Sequence, residues 1–159
     1  MENGINKSNQ YISFKLGAEL FGIDILEIKE IIKNIEVTKL PDADEFIKGI
    51  INLRGEIIPI IDLRNKFNMP VSKRKRGAKF IIVNIKGNQT VGLMVDDVEE
   101  VVQVENESLR EYNQGHKNDK ANFIEYIGQL KEKLLIILDL DELFTFKESF
   151  ALDQTMNKL

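Results

Sequence analysis

The chain has 159 residues and a formal net charge of −4, with no cysteine and a single histidine. That length fits one domain or two small subdomains around a shared core, and folding at this size needs no covalent staple. The composition excludes a disulfide framework and any thiolate site, and the acidic balance is a poor match to nucleic acid or an anionic membrane.

The first nine residues read as a flexible lead with no apolar stretch after a basic one, so no secretory signal is expected. In QYISFKL, Ile12, Phe14 and Leu16 alternate with Tyr11, Ser13 and Lys15, the period of a half-buried strand. Gly17 opens a turn into a second strand, LFGIDI. LEIKEII places Leu26, Ile28, Ile31 and Ile32 on overlapping helix and strand periods, so its type stays open. FIKGIINLRGEIIPIIDLR reads as strand, tight turn and strand, with Arg54, Gly55 and Glu56 at the tip. Gly55 supplies the positive φ such turns need. Pro59 has no N–H for a ladder, which suggests an edge strand or a bulge. Asp62 is placed to cap a short helix.

NMPVSKRKRGAK then divides the chain, and KFIIVNI, KGNQ and TVGLMV repeat strand, glycine turn and strand. NQGHKNDKAN is a polar loop. After LLIIL, Asp139 with Glu142 three residues on forms a capping-box spacing, predicting a helix through Phe144 to about Phe150. Residues 151–159 read as a fraying tail. The apolar runs IIPII and LLIIL are too short to cross a bilayer.

One plan is used twice. FGIDILEIKEII lies over VGLMVDDVEEVV without a gap, pairing Gly22 with Gly92, Ile28 with Val98, Glu30 with Glu100 and Ile31 with Val101. IIPIIDLRNKF lies over LLIILDLDELF, pairing Asp62 with Asp139 and Phe67 with Phe144. The two offsets differ, so loops changed length between the blocks. Internal duplication implies two similar small β units. The expected organisation is one domain over 10–150, made of interleaved subdomains at about 10–70 and 78–150.

No residue set asks for catalysis. His116 reads as a solvated loop imidazole, and neither a catalytic triad nor a histidine-rich metal site is assembled. Asp96, Asp97, Glu99 and Glu100 form the strongest carboxylate cluster but lack the spacing of a calcium loop, so they read as a solvated acidic face. The basic run Lys73 to Arg76 has no interleaved aromatics; a small nucleic-acid-binding barrel that uses it is the lesser alternative. Arg54 has carboxylate candidates in Glu30 and Glu56 for a charge-assisted pair.

FGIDILEIKEI, FIKGIINLRGEIIPIIDLR, VGLMVDDVEEVV and YIGQL with LLIILDLDELF, in that order, resemble the CheW family of bacterial chemotaxis coupling proteins from about Tyr11 to Phe150. The resemblance implies a mainly β fold of two SH3-like five-stranded barrels, no enzymatic activity, and neither metal nor cofactor. It implies two partners: the cytoplasmic tip of chemoreceptors, and the regulatory domain of the histidine kinase CheA. Carried over on matching motifs, Ile28, Glu30, Ile31, Gly49, Val98 and Val101 would line a receptor-binding groove between the subdomains. Lys48, Arg54 and Glu30 would serve kinase coupling. The resemblance further implies a cytoplasmic protein, monomeric when free and recruited to membrane-associated arrays. A scaffold in another two-component pathway is the neighbouring alternative.

Overall fold

The computed structural model describes residues 9–70, 78–85, 88–112 and 123–159; the basic run Lys73 to Arg76 and His116 lie outside them. Chain order gives β1 (Gln10–Leu16), β2 (Glu19–Asp24), β3 (Ile28–Lys33), β4 (Ile47–Leu53), β5 (Glu56–Asp62) and a short helix α1 (Leu63–Lys66). The second half gives β6 (Lys79–Ile85), β7 (Gln89–Val95), β8 (Asp97–Gln103), β9 (Leu109–Glu111), β10 (Ile124–Leu130), β11 (Lys133–Leu138) and helix α2 (Phe146–Asn157). The strands form a six-stranded sheet, β8-β1-β2-β11-β10-β9, and a five-stranded sheet, β3-β6-β7-β5-β4. The protein is mainly β, with two sheets and few helices.

Each sheet combines the first hairpin of one half with the later strands of the other. β1 and β2 pair with β8 and β11, whereas β6 and β7 pair with β3 and β5. The duplicated sequence is reproduced in the register. Ile137 faces Gly22 in the parallel β11–β2 ladder, as Ile60 faces Gly92 in the β5–β7 ladder. The second contact is close: a Cβ on Gly92 would stand 2.6 Å from Ile60 Cδ1, so a side chain there would force Ile60 to shift.

Three buried clusters follow. One lies under the five-stranded sheet, around Ile51, Ile58, Ile60, Phe80, Ile82 and Met94. Its counterpart under the six-stranded sheet holds Tyr11, Val104, Leu135 and Ile137. The largest takes side chains from both sheets, including Phe14, Phe21, Ile23, Val83, Val91 and Leu93. Because β1 lies between β8 and β2 and has a cluster on each face, the expected half-buried alternation gives way. Tyr11 and Ser13 are as buried as Phe14 and Leu16.

Other expectations resolve in the same way. LEIKEII becomes a single 3₁₀ turn, Ile25–Glu27, followed by strand β3. The Arg54–Gly55 tip is a two-residue turn with both φ values positive, 51° and 89°, the type whose twist suits a hairpin. β5 is an inner strand and not an edge, so the edge reading of Pro59 is corrected. Pro59 sits opposite Ile50, one residue before the β5–β7 ladder begins at Ile60, where no N–H is needed. The helix after Asp139 is a 3₁₀ turn, Leu140–Glu142; α2 begins afresh after Thr145 and runs through Asn157, past the expected end near Phe150.

Candidate functional site

Ile28 opens β3 directly after the turn in which Asp24 Oδ1 accepts from the Leu26 N–H at 2.9 Å. It pairs with Val83; the register then shifts, and Glu30 and Ile31 pair with Ile82 and Ile81. Cross-strand partners share a sheet face. Ile28 and Ile31 therefore lie with Val83 and Ile81 on the face that packs on the large shared core, and both are half-buried there. Glu30 lies with Ile82 on the opposite face, a placement the bulge makes possible.

Val98 and Val101 occupy the duplicate positions on β8. Val98 pairs with Phe14 and Val101 with Ile12, across a register shift at the same place in the strand. Val98 is half-buried on the shared core, while Val101 remains 48% exposed. Ile28 and Val98 thus rest on one core from the outer strands of two different sheets, and neither is sealed from solvent.

The bulges are filled differently. On β8 the Ser13 hydroxyl donates to the Glu100 carbonyl at 2.8 Å and accepts from the Glu100 N–H at 3.2 Å, which accounts for a buried serine in β1. The counterpart of Ser13 in β6 is apolar Ile82, and Glu30 is instead met at its carboxylate by Arg54 from the hairpin tip. Of the two carboxylates named as candidates for Arg54, Glu30 is the one engaged. The pair ties outer strand β3 to the tip of the β4–β5 hairpin of the same sheet.

Gly49 is buried in β4, with φ 157°. A Cβ there would stand 2.3 Å from the Thr38 carbonyl oxygen and 2.6 Å from Val37 Cγ1. The close approach lets Thr38 exchange two backbone hydrogen bonds with Ile50, at 2.8 and 2.9 Å. Lys48 beside it is exposed and rims a surface depression with Leu40, Asp44, Asp62 and Asn65.

The carboxylate run on β7–β8 disperses. Asp97 accepts from Lys79 Nζ at 3.0 Å and from the Val98 N–H at 2.9 Å; the Lys79 hydrogen bond holds its carboxyl below the usual carboxylate range. Asp96 turns to Arg64, whose Nε and Nη2 reach its two oxygens at 2.8 and 2.5 Å. That bond to Asp96 also raises the Arg64 pKa. Among the described residues, no group of three or more potential ligands is arranged to hold a metal ion. Neither Arg64 nor Ser13 stands out in the sequence, where one is the last letter of DLR and the other a polar position in an alternating strand. No described helix is long and apolar enough to cross a membrane.

The profile of the CheW-like domain matches residues 10–148. Chemotaxis protein CheW of Klebsiella aerogenes is 34% identical over 150 residues, which cover 94% of this chain and 90% of that protein. The CheW of Treponema pallidum is 35% identical, covering 87% of this chain and 84% of its own. The crystal structure of the scaffolding protein TtCheW from Thermoanaerobacter tengcongensis superposes with a TM-score of 0.78 at 37% identity, over 87% of this chain and 94% of that one. The chain belongs to the CheW-like family of chemotaxis scaffold proteins, a non-catalytic family.

Proposed function

We propose that this protein is a non-enzymatic adaptor that joins the cytoplasmic tip of chemoreceptors to the regulatory domain of the histidine kinase CheA. The observation that carries the reading is the pair Ile28 and Val98, duplicate apolar positions on the outer strands of two sheets, both half-exposed over one core. With Ile31 and the more exposed Val101 they form two apolar ridges suited to the apolar face of an amphipathic helix. A receptor hairpin tip supplies such a helix. Buried apolar area stabilises by about 25 cal/mol per Å² before ordering costs, so a contact of this size binds weakly alone. Stable coupling then comes from many linked contacts in an array at the membrane, with the free adaptor monomeric in the cytoplasm.

Glu30, Arg54 and Lys48 are assigned to kinase coupling. Arg54 stands at a turn whose geometry is fixed by both of its residues, so the Glu30 carboxylate and the guanidinium are presented together at one end of the five-stranded sheet. Gly49 belongs to the receptor surface in this reading. A side chain at 49 would collide with Thr38 backbone, however, so substitution there tests packing and binding together.

The cleaner test is Val101→Asp, at a position with little packing to lose. Titration against a receptor tip fragment is expected to lose about tenfold or more in affinity, the size of one hot-spot contact. The thermal transition of the variant should stay within a few degrees of the parent. Unchanged affinity and unchanged receptor-dependent kinase activation in both Val101→Asp and Val98→Asp would refute the groove.

A further inference from the structure

The chain passes between the sheets twice, from β2 to β3 and from β7 to β8, and each passage leads directly into one of the duplicate apolar residues, Ile28 and Val98, assigned above to the groove. The passages are built differently. Ile28 follows a three-residue 3₁₀ turn that buries none of its residues, with Leu26 72% exposed, and that is capped locally by buried Asp24. The β7–β8 passage is a single linking residue, Asp96, anchored through both its N–H and its carboxylate.

The Asp96 N–H donates to the Lys15 carbonyl at 3.1 Å, and its Oδ2 accepts from the Gly17 N–H at 2.7 Å; both partners belong to the first hairpin of the six-stranded sheet. Its carboxylate also takes the two-pronged Arg64 contact, from a helix that continues β5 of the five-stranded sheet. Arg64 is itself fixed: its Nη1 donates to the Pro70 carbonyl at 2.5 Å, and its side chain is 9% exposed. Asp97 then caps the Val98 N–H and pairs with Lys79. The duplicate position of Asp96 in the first half is Leu26 and that of Arg64 in the second is Asp141, so the same latch cannot form at the β2–β3 passage.

We propose that Arg64 and Asp96 are positioning residues for the groove: they hold the β7–β8 passage, and with it Val98, by a latch between the sheets that the β2–β3 passage, capped locally by Asp24, does not share. This rests on the adaptor reading for the identity of the occupant, but not for the difference between the two passages.

Hydrogen exchange on the full chain carrying Arg64→Met or Arg64→Lys tests it. In Arg64→Met the Gly17, Asp96 and Val98 amides are expected to exchange about tenfold faster, while those of Leu26 and Ile28 change less than about twofold, the pattern of a local opening. Arg64→Lys keeps the charge but not the planar fork, and should fall between. If Arg64→Met does not fold, Arg64→Lys carries the same comparison. Uniform acceleration at both passages, or none at either, overturns the proposal. Affinity for a receptor tip fragment should fall about tenfold in Arg64→Met, at the level of one lost positioned contact, and be partly restored in Arg64→Lys. Unchanged affinity alongside a loosened Val98 also overturns it. A parent chain that fails to bind the fragment refutes the adaptor reading instead, and the exchange pattern tells that failure from this one.

Discussion

Ser13 is a polar side chain in a strand buried on both faces, and its hydroxyl serves a backbone group that the β8 bulge takes out of the ladder. Removing it leaves the Glu100 N–H and carbonyl without that partner in a site where Ser13 itself is 1% exposed. Ser13→Ala should therefore lower unfolding stability by about 1–3 kcal/mol, the cost of leaving a buried polar group unsatisfied. Urea denaturation checks this; a change within a few tenths of a kcal/mol would mean water replaces the hydroxyl. The residue was not legible beforehand because alternation alone assigns a serine between Ile12 and Phe14 to solvent. That assignment fails for a strand flanked by partners and covered on both sides. Arg54 and Gly55 were legible, since two apolar runs around a glycine leave little else for the chain to do than turn. What the sequence left open was which carboxylate Arg54 meets, because Glu30 reaches it only through the curl of the whole sheet.

At the scale of elements, the last helix shows how a local signal is overlooked. TFKE, Thr145 to Glu148, is a capping-box sequence, and the structure forms both of its bonds: the Glu148 N–H donates to Thr145 Oγ1 at 3.1 Å and the Thr145 N–H to Glu148 Oε1 at 3.0 Å. The earlier Asp139–Glu142 spacing has the same form but ends in a single 3₁₀ turn, where Asp139 accepts from the Asp141 N–H. α2 is docked by Leu152, buried in the shared core, and by Lys66, which pairs with Glu148 at 3.3 Å beneath the rings of Phe123 and Phe144. Glu148 therefore serves the cap and the dock at once. Thr145→Ala should cost about 1 kcal/mol, the usual worth of an N-cap. Glu148→Ala should cost more, because the nearly buried Lys66 ammonium loses its carboxylate. Chemical denaturation of both variants checks the order, and equal effects would mean that the ion pair adds nothing. The tail looked unstructured because its apolar residues are few; a buried leucine and a cap are enough when a core is there to receive them.

For the molecule as a whole, duplication and interleaving were legible, and which strands the halves exchange was not. Matching blocks such as FGIDILEIKEII and VGLMVDDVEEVV reveal two copies of one plan, but a strand's pattern does not say which copy it pairs with. The structure sends β3 to β6 and β8 to β1, so each sheet depends on both halves. The exchange places Ile28 and Val98 over a common core, and an arrangement of two independent barrels would not. It also makes a thermodynamic claim. Residues 9–70 alone keep the β1–β2 and β4–β5 hairpins, but they lose β6 and β7, which join β3 to β5, and the β8 and β11 partners of β1 and β2. Isolated hairpins are marginal in water, and the shared core would stand half exposed. A chain cut between Pro70 and Ala78 should therefore give two pieces that show no cooperative unfolding transition separately and recover one when mixed. Circular dichroism melts of each piece and of the mixture decide this. A cooperative melt from residues 9–70 alone would show that the halves fold as independent units, and the shared-core origin of the proposed groove would fall with it.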